Sequence, residues 1–402
     1  MERARKLKPL LNRIPDIQRG VSQQREHILT NTILIGQVPP ISIAMKEDDV
    51  EKSAVNLRAR TLLDRMAELG VDEVASDASG NPVGIIKGSA ETDRCIVVAA
   101  HMDTVYHFEQ EAHLAIDDKV ISGPGIIDNS ISLGILLSLP ELIRALDLRF
   151  DCDIVIVGLN ESIGAKNLSS IRRFLDNWKR PIAAGIILEG AELGRLNYFS
   201  RSMSRYEISC EIPMKSGWEN KYGSNAILII NDVINRILEI HLPQRPQTQI
   251  IIGKIEGGIK HGDLALTGEL GLEIESASNE MVQAISRKIE DIVDSIAHEY
   301  LVDLRIKKIS GVDAARLEYT HPLVKNTIEI LETLKIKPII ESSESELSIF
   351  LNHKIPAITI GLTHGENYHT ENASAEIEPL VQGVTQLLAV LQSIDKGVTD
   401  EQ

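Results

Sequence analysis

Four short apolar runs constrain this chain more than any other feature. They are CIVVAA (95–100), DIVIVGL (153–159), AAGIILEG (183–190) and PAITIGL (356–362). Runs without polar alternation suit strands covered on both faces, as in a largely parallel sheet wrapped by helices. Each run ends in polar or ionisable residues: His101-Met102-Asp103, Asn160-Glu161, Glu189, and a loop holding His364 and His369. In open α/β sheets the ligand site lies beyond the carboxyl ends of the strands, so these side chains are expected to gather at one rim. Helical segments at 130–146 and 166–178 separate the runs. A further helix over 51–69 stops at a capping Gly70.

The alternation breaks over 197–309. Strand 204–212, helix 223–241, strands 248–256 and 265–275, helix 278–300 and strand 302–308 follow in the order βαββαβ, that of a small ferredoxin-like domain. Helix–strand alternation resumes after 312. The expected architecture is α/β, with a helix–sheet–helix domain built from residues 1–196 plus 310–402. Residues 197–309 form a smaller domain inserted into it. A length of 402 residues suits two domains.

Composition narrows the function classes. Hydrophobic residues at 43% and charged residues at 25% describe a folded chain, and aromatics at 3% leave a core of aliphatic side chains. With Lys plus Arg at 42 against Asp plus Glu at 58, the formal charge is −16, which disfavours nucleic acid and anionic membrane as partners. Cys95, Cys152 and Cys210 are too few and too scattered for a disulfide framework or a thiolate zinc site. No apolar run approaches the roughly 18 residues of a membrane helix. The first 26 residues lack the apolar stretch of a secretory signal, so the cytoplasm is the expected compartment.

Taken singly, the strand-end residues have ordinary explanations. Asp128, in Gly123-Pro124-Gly125-Ile126-Ile127-Asp128-Asn129-Ser130, stands where an N-cap would explain it. Glu161 and Glu189 fit surface carboxylates, and His369 fits a solvated loop. Taken together, His101, Asp128, Glu161, Glu189 and His369 are the nitrogen and oxygen donors of a hydrolytic paired-zinc site.

The order HxD, GxGxxD, a Glu after the next strand, a later Glu and a C-terminal His resembles the co-catalytic zinc peptidases and deacylases, which include peptidase T, carboxypeptidase G, acetylornithine deacetylase and succinyl-diaminopimelate desuccinylase. The resemblance runs from about residue 27 to 394. It is carried by AAHMDTV, SGPGIIDNSISLGILL, GLNESIGAKNL, GSNAI (223–227), GKIEGG (253–258) and IPAITIG…YHT (355–370). It implies that His101 and Glu189 hold one zinc, that Asp128 bridges and that His369 holds a second. Asp103 would orient His101 from behind. Cobalt or manganese would suit the same ligands. It also implies attack on an amide by metal-bound water, a small peptide or N-acyl amino acid as substrate, Asn225 and His261 facing it, and a homodimer formed through residues 197–309 acting as a lid.

The chain also departs from that pattern. Family members place two adjacent glutamates after the third strand, a general base and a metal ligand, where this chain reads Asn160-Glu161-Ser162. Glu161 as ligand leaves Asn160 in place of the base; Glu161 as base leaves Ser162 in place of the ligand. Glu366 is a further carboxylate able to serve as base. Met214-Lys215-Ser216-Gly217-Trp218 lacks the family's lid histidine. His261 stands in place of an Asn, and Glu275 in place of a substrate-gripping Arg, which disfavours a free carboxylate on the substrate. The expected function is a metal-dependent hydrolase, a metallopeptidase or N-acyl amino acid amidohydrolase. The alternative is a catalytically inactive member of the same fold serving as a binding or scaffold protein.

Overall fold

The computed structural model describes residues 2–38, 54–90, 92–104, 114–163, 168–213, 225–343 and 345–399. The chain divides into two compact units, Met1–Phe199 with Arg316–Gln402, and Ser200–Ala315.

The first unit is built on a seven-stranded sheet. Its spatial order is Glu73–Ser76, Pro82–Ile86, Asp153–Leu159, Cys95–His101, Ile182–Ala191, Ala357–Thr363 and Leu196–Asn197. The four apolar runs are therefore neighbours at its centre. They pair in parallel, Cys95–His101 lying between Asp153–Leu159 and Ile182–Ala191, with Ala357–Thr363 beyond. Every residue of Cys95–His101, Asp153–Leu159 and Ala357–Thr363 is buried, as strands covered on both faces must be. Because the four run the same way, their carboxyl ends share one edge, and the chemistry-bearing residues come to that edge.

One feature of this unit lies outside the sequence reading and another contradicts it. Residues Glu2–Gln23 and Arg25–Gly36 are helices that bury Leu7, Ile14, Val21, Ile28 and Ile35 in the core, one side chain every seventh residue. In addition, Ile126–Ala145 is a segment of 20 residues long and apolar enough to cross a membrane, contrary to the expectation that no run comes near that length. It is 83% buried within the fold. Its all-round apolarity is that of a central core helix, walled in by protein on every side.

The second unit follows the order βαββαβ. An antiparallel sheet in the order Thr248–Gly257, Thr267–Ser276, Ser202–Glu211, Asp303–Val312 is packed by the helices Ala226–Leu238 and Asn279–Tyr300. Ile208, Ile229, Val233, Leu270, Ile285 and Ile289 lie in its separate core. Both helices start on side-chain caps, with Asn225 accepting from the Ile227 N–H at 3.0 Å and Ser278 from the Met281 N–H at 3.2 Å.

Candidate metal centre

The site is built from the ends of the central strands. His101 closes Cys95–His101 and is only 6% exposed. Its Nδ1 lies 2.9 Å from the backbone carbonyl of Asp103. The other nitrogen, Nε2, lies 3.1 Å from Asp128 Oδ1 and 3.8 Å from Glu189 Oε2. A ring whose Nδ1–H donates to a carbonyl presents Nε2 as a ligand atom. The carboxylate of Asp103, expected in that orienting role, stands 3.8 Å from Nδ1 and accepts instead from the Ile163 N–H at 2.8 Å. Asp103 thus holds the ring through its main chain.

Asp128 belongs to the turn that precedes helix Ile131–Ala145, and that helix has no side-chain cap. Its carboxylate faces two imidazoles: the second oxygen, Oδ2, lies 3.2 Å from His369 Nδ1. Asn129 fixes the turn against the neighbouring strand. Its Nδ2 donates to the Leu188 carbonyl at 3.0 Å, and its Oδ1 accepts from the Gly190 N–H at 3.1 Å. Those two bonds bracket Glu189 and set it beside Asp128. Only glycine fits at 190, because a Cβ there would come within 2.0 Å of the Ile127 carbonyl oxygen.

One atom each from His101, Asp128 and Glu189 falls within 4.8 Å of the others, a spacing suited to a single cation. The electrostatics point the same way. Burial alone would lower the pKa of His101, but its bond to Asp128 and the charges of Asp128, Glu189 and Glu346 raise it well above the ordinary value. Burial pushes the Glu189 carboxyl up to about 7, with Glu346 and Asp128 adding to the effect and His101 opposing it. Asp103 is pushed up to about 6 by burial, against His101 and the Ile163 N–H. Burial works against ionisation of Asp128 too, yet His101 and His369 together hold it well below the usual carboxylate range. The cluster thus holds protons on His101, His369 and Glu189 more tightly than water would. A divalent cation fits this donor set and would displace them.

Other expected residues have other surroundings. Glu161 lies 2.5 Å from Arg173 and accepts from the Ser169 hydroxyl. Asn160 is tied to a turn, its N–H donating to Asn81 Oδ1 at 2.9 Å and its Nδ2 to the Gly80 carbonyl at 3.1 Å. Of the Asn160-Glu161-Ser162 triplet, only Ser162 lines the cavity over the cluster. Glu366 is exposed in the short strand Gly365–Glu366. Asn225 and His261 belong to the second unit, Asn225 as a helix cap and His261 exposed on a turn. Glu275 is buried there, accepting from Gln249 Nε2 at 2.6 Å and standing 3.8 Å from Arg201. Residues 214–218 lie outside the described residues.

The cavity over the cluster has a volume of about 470 Å³ and reveals two residues that the sequence reading missed, Arg195 and Glu346. Glu346 is 1% exposed, and its Oε1 has no hydrogen-bond partner among the described residues. It lies in ESSESE, a tract that reads as a solvated acidic loop. Its only sequence signal is the apolar LSIF that follows.

Peptidase family M20/M25/M40 matches residues 97–393, and the chain belongs to that family of hydrolases. No curated protein matches the sequence. Among solved structures, aminopeptidase PepT from Bacillus cereus ATCC 10987 superposes with a TM-score of 0.70 at 18% identity, over 92% of this chain and 98% of its own. Human carnosine dipeptidase 1 gives 0.73 at 12% identity, over 95% and 99%. The Bacillus subtilis YXEP protein, a dinuclear metal binding peptidase from the M20 family, gives 0.60 at 12% identity, over 96% and 98%. At such identities the likeness is one of fold.

Proposed function

We propose that this chain is a metal-dependent amide hydrolase acting on small peptides or N-acyl amino acids, with zinc as the ion. The convergence of His101, Asp128, Glu189 and His369 carries the reading. His101, Asp128 and Glu189 hold one ion, and His369 supports Asp128 from its other oxygen. A second ion would find only Asp128 and His369 among the described residues, because Glu161 is engaged by Arg173 and Ser169. When bound there, a zinc ion would supply Lewis acidity toward an amide carbonyl and toward water near neutral pH.

The protein's own part is to position the substrate and to move the proton. Glu346 replaces the missing glutamate of the 160–162 triplet as proton acceptor. It is buried on the cavity wall with one oxygen free, and it acts electrostatically on His101 and Glu189. It takes the proton from water as the water oxygen attacks the carbonyl carbon. It then returns that proton to the amide nitrogen as the C–N bond breaks. At 1% exposure it is kept out of bulk solvent, where its charge would be screened.

Three buried, unpaired cysteines support a cytoplasmic setting. Exposed Leu228 and Ile255, on a helix and the edge strand of the second unit, support self-association through that unit. The test of the function is turnover of a panel of dipeptides, tripeptides and N-acetyl amino acids by zinc-loaded protein. Hydrolysis abolished by chelation and reduced about 10²–10⁴-fold by Glu346→Gln, with zinc still bound, is expected. No metal-dependent hydrolysis of any member would leave the binding-protein alternative standing.

A further inference from the structure

The cavity wall carries a second unused group. Arg195 lies six residues beyond Glu189, on the same wall, half-buried, and its guanidinium makes no hydrogen bond or ion pair among the described residues. Its backbone is rigidly held. The Arg195 N–H donates to the Glu192 carbonyl at 2.9 Å, and Arg195 bridges to Ile339. On either side, the Leu196 N–H donates to the Ile339 carbonyl at 2.9 Å, and the Ile339 N–H to the Gly194 carbonyl at 2.8 Å. Gly194 has φ of +100°, and a Cβ there would come within 2.5 Å of the Lys337 carbonyl oxygen, so the turn delivering Arg195 is specific to glycine.

A guanidinium carried on a fixed backbone, with five N–H donors and no acceptor among the described residues, lining a ligand-sized cavity, calls for an anion from the ligand. The same wall bears hydroxyls: Ser343 and Ser345 lie 2.7 Å apart, and Ser345 lies 3.4 Å from Thr359. Arginine pairs with a carboxylate through two parallel hydrogen bonds, and hydroxyls can take up its remaining lone pairs. We infer that Arg195 is the carboxylate anchor of the substrate site, so that the ligands taken there carry a free carboxylate close to the amide that is cut. The inference rests on the hydrolase reading for the position of that amide. It reverses the expectation drawn from Glu275: the cation missing from the second unit is supplied by the wall of the metal cavity itself.

The test is calorimetric binding to zinc-loaded protein of L-leucine against L-leucinol and of L-methionine against L-methioninol. Neither member of a pair has an amide to hydrolyse, so binding is read without turnover. The wild type is expected to bind each acid at least about tenfold more tightly than its alcohol. Arg195→Met should bring the two within about twofold, and Arg195→Lys should keep part of the preference, since a point charge remains without the fork. Absence of an acid preference in the wild type overturns the inference. So does its survival in Arg195→Met, which would place the carboxylate on the metal. The wild-type comparison holds whether or not the variants fold. If the preference is present while the peptide panel is not hydrolysed, the hydrolase reading fails and the anchor stands.

Discussion

At the scale of single residues, the site is a contest between burial and charge. Glu189 ionises in water near pH 4.5 but only at about 7 in the folded chain. Its protonated form is therefore favoured by folding. The resulting stability is fully present below about pH 4.5 and is lost as pH rises through about 7. That loss amounts to about 3 kcal/mol at about 1.4 kcal/mol per pH unit. Metal-free protein should weaken over that window in urea unfolding, Glu189→Gln should flatten the slope, and zinc should flatten it too by taking the proton's place. Asn129 acts on the same pair by geometry. Asn129→Ala removes both bonds that hold Asp128 beside Glu189. Zinc affinity, measured by competition with a chelator, should fall about 10–100-fold. His101, Glu189 and His369 were legible in the sequence because each ends or follows an apolar run, and Asp128 because a glycine-bearing turn sets it ahead of an apolar helix. Glu346 and Arg195 were not, since nothing local marks a loop charge as buried or a turn charge as unpaired.

At the scale of elements, the four apolar runs were readable as central parallel strands because a strand buried on both faces has no polar alternation to confuse with a helix. The two N-terminal helices were not read, although Leu7, Ile14, Val21, Ile28 and Ile35 recur every seventh residue. Pro9 and Pro15 inside the first helix argue against a helix on local grounds. Tertiary burial overrode that propensity. Ile28 is 1% exposed, so Ile28→Ala should cost about 2–5 kcal/mol in chemical denaturation. A loss under about 0.5 kcal/mol would mean that these helices are ornamental to the core. Spacing alone leaves the Asn160-Glu161-Ser162 triplet open, because a single carboxylate follows Asp153–Leu159 and could fill either of two adjacent positions. In the structure Glu161 lies 2.5 Å from Arg173, a partner twelve residues away that spacing does not reveal.

At the scale of the whole molecule, the described residues that form the metal centre and line the cavity above it belong to the first unit. The second unit has its own sheet and core, and its order βαββαβ was legible because its helices carry an apolar stripe while strands such as Ser202–Glu211 and Thr267–Ser276 alternate. Its free edge strand and the outer face of its first helix suit a second copy of the chain. Leu228→Lys with Ile255→Lys should turn a dimer into a monomer in light scattering and leave zinc affinity unchanged; a wild-type monomer would remove the proposal. The central claim concerns the ion. After loading with zinc and removing the excess, metal content per chain should be about one in the wild type and near zero in Asp128→Asn, since Asp128 is the carboxylate shared by His101 and His369. Two ions held with equal tenacity, or zinc retained undiminished by Asp128→Asn, would contradict the account.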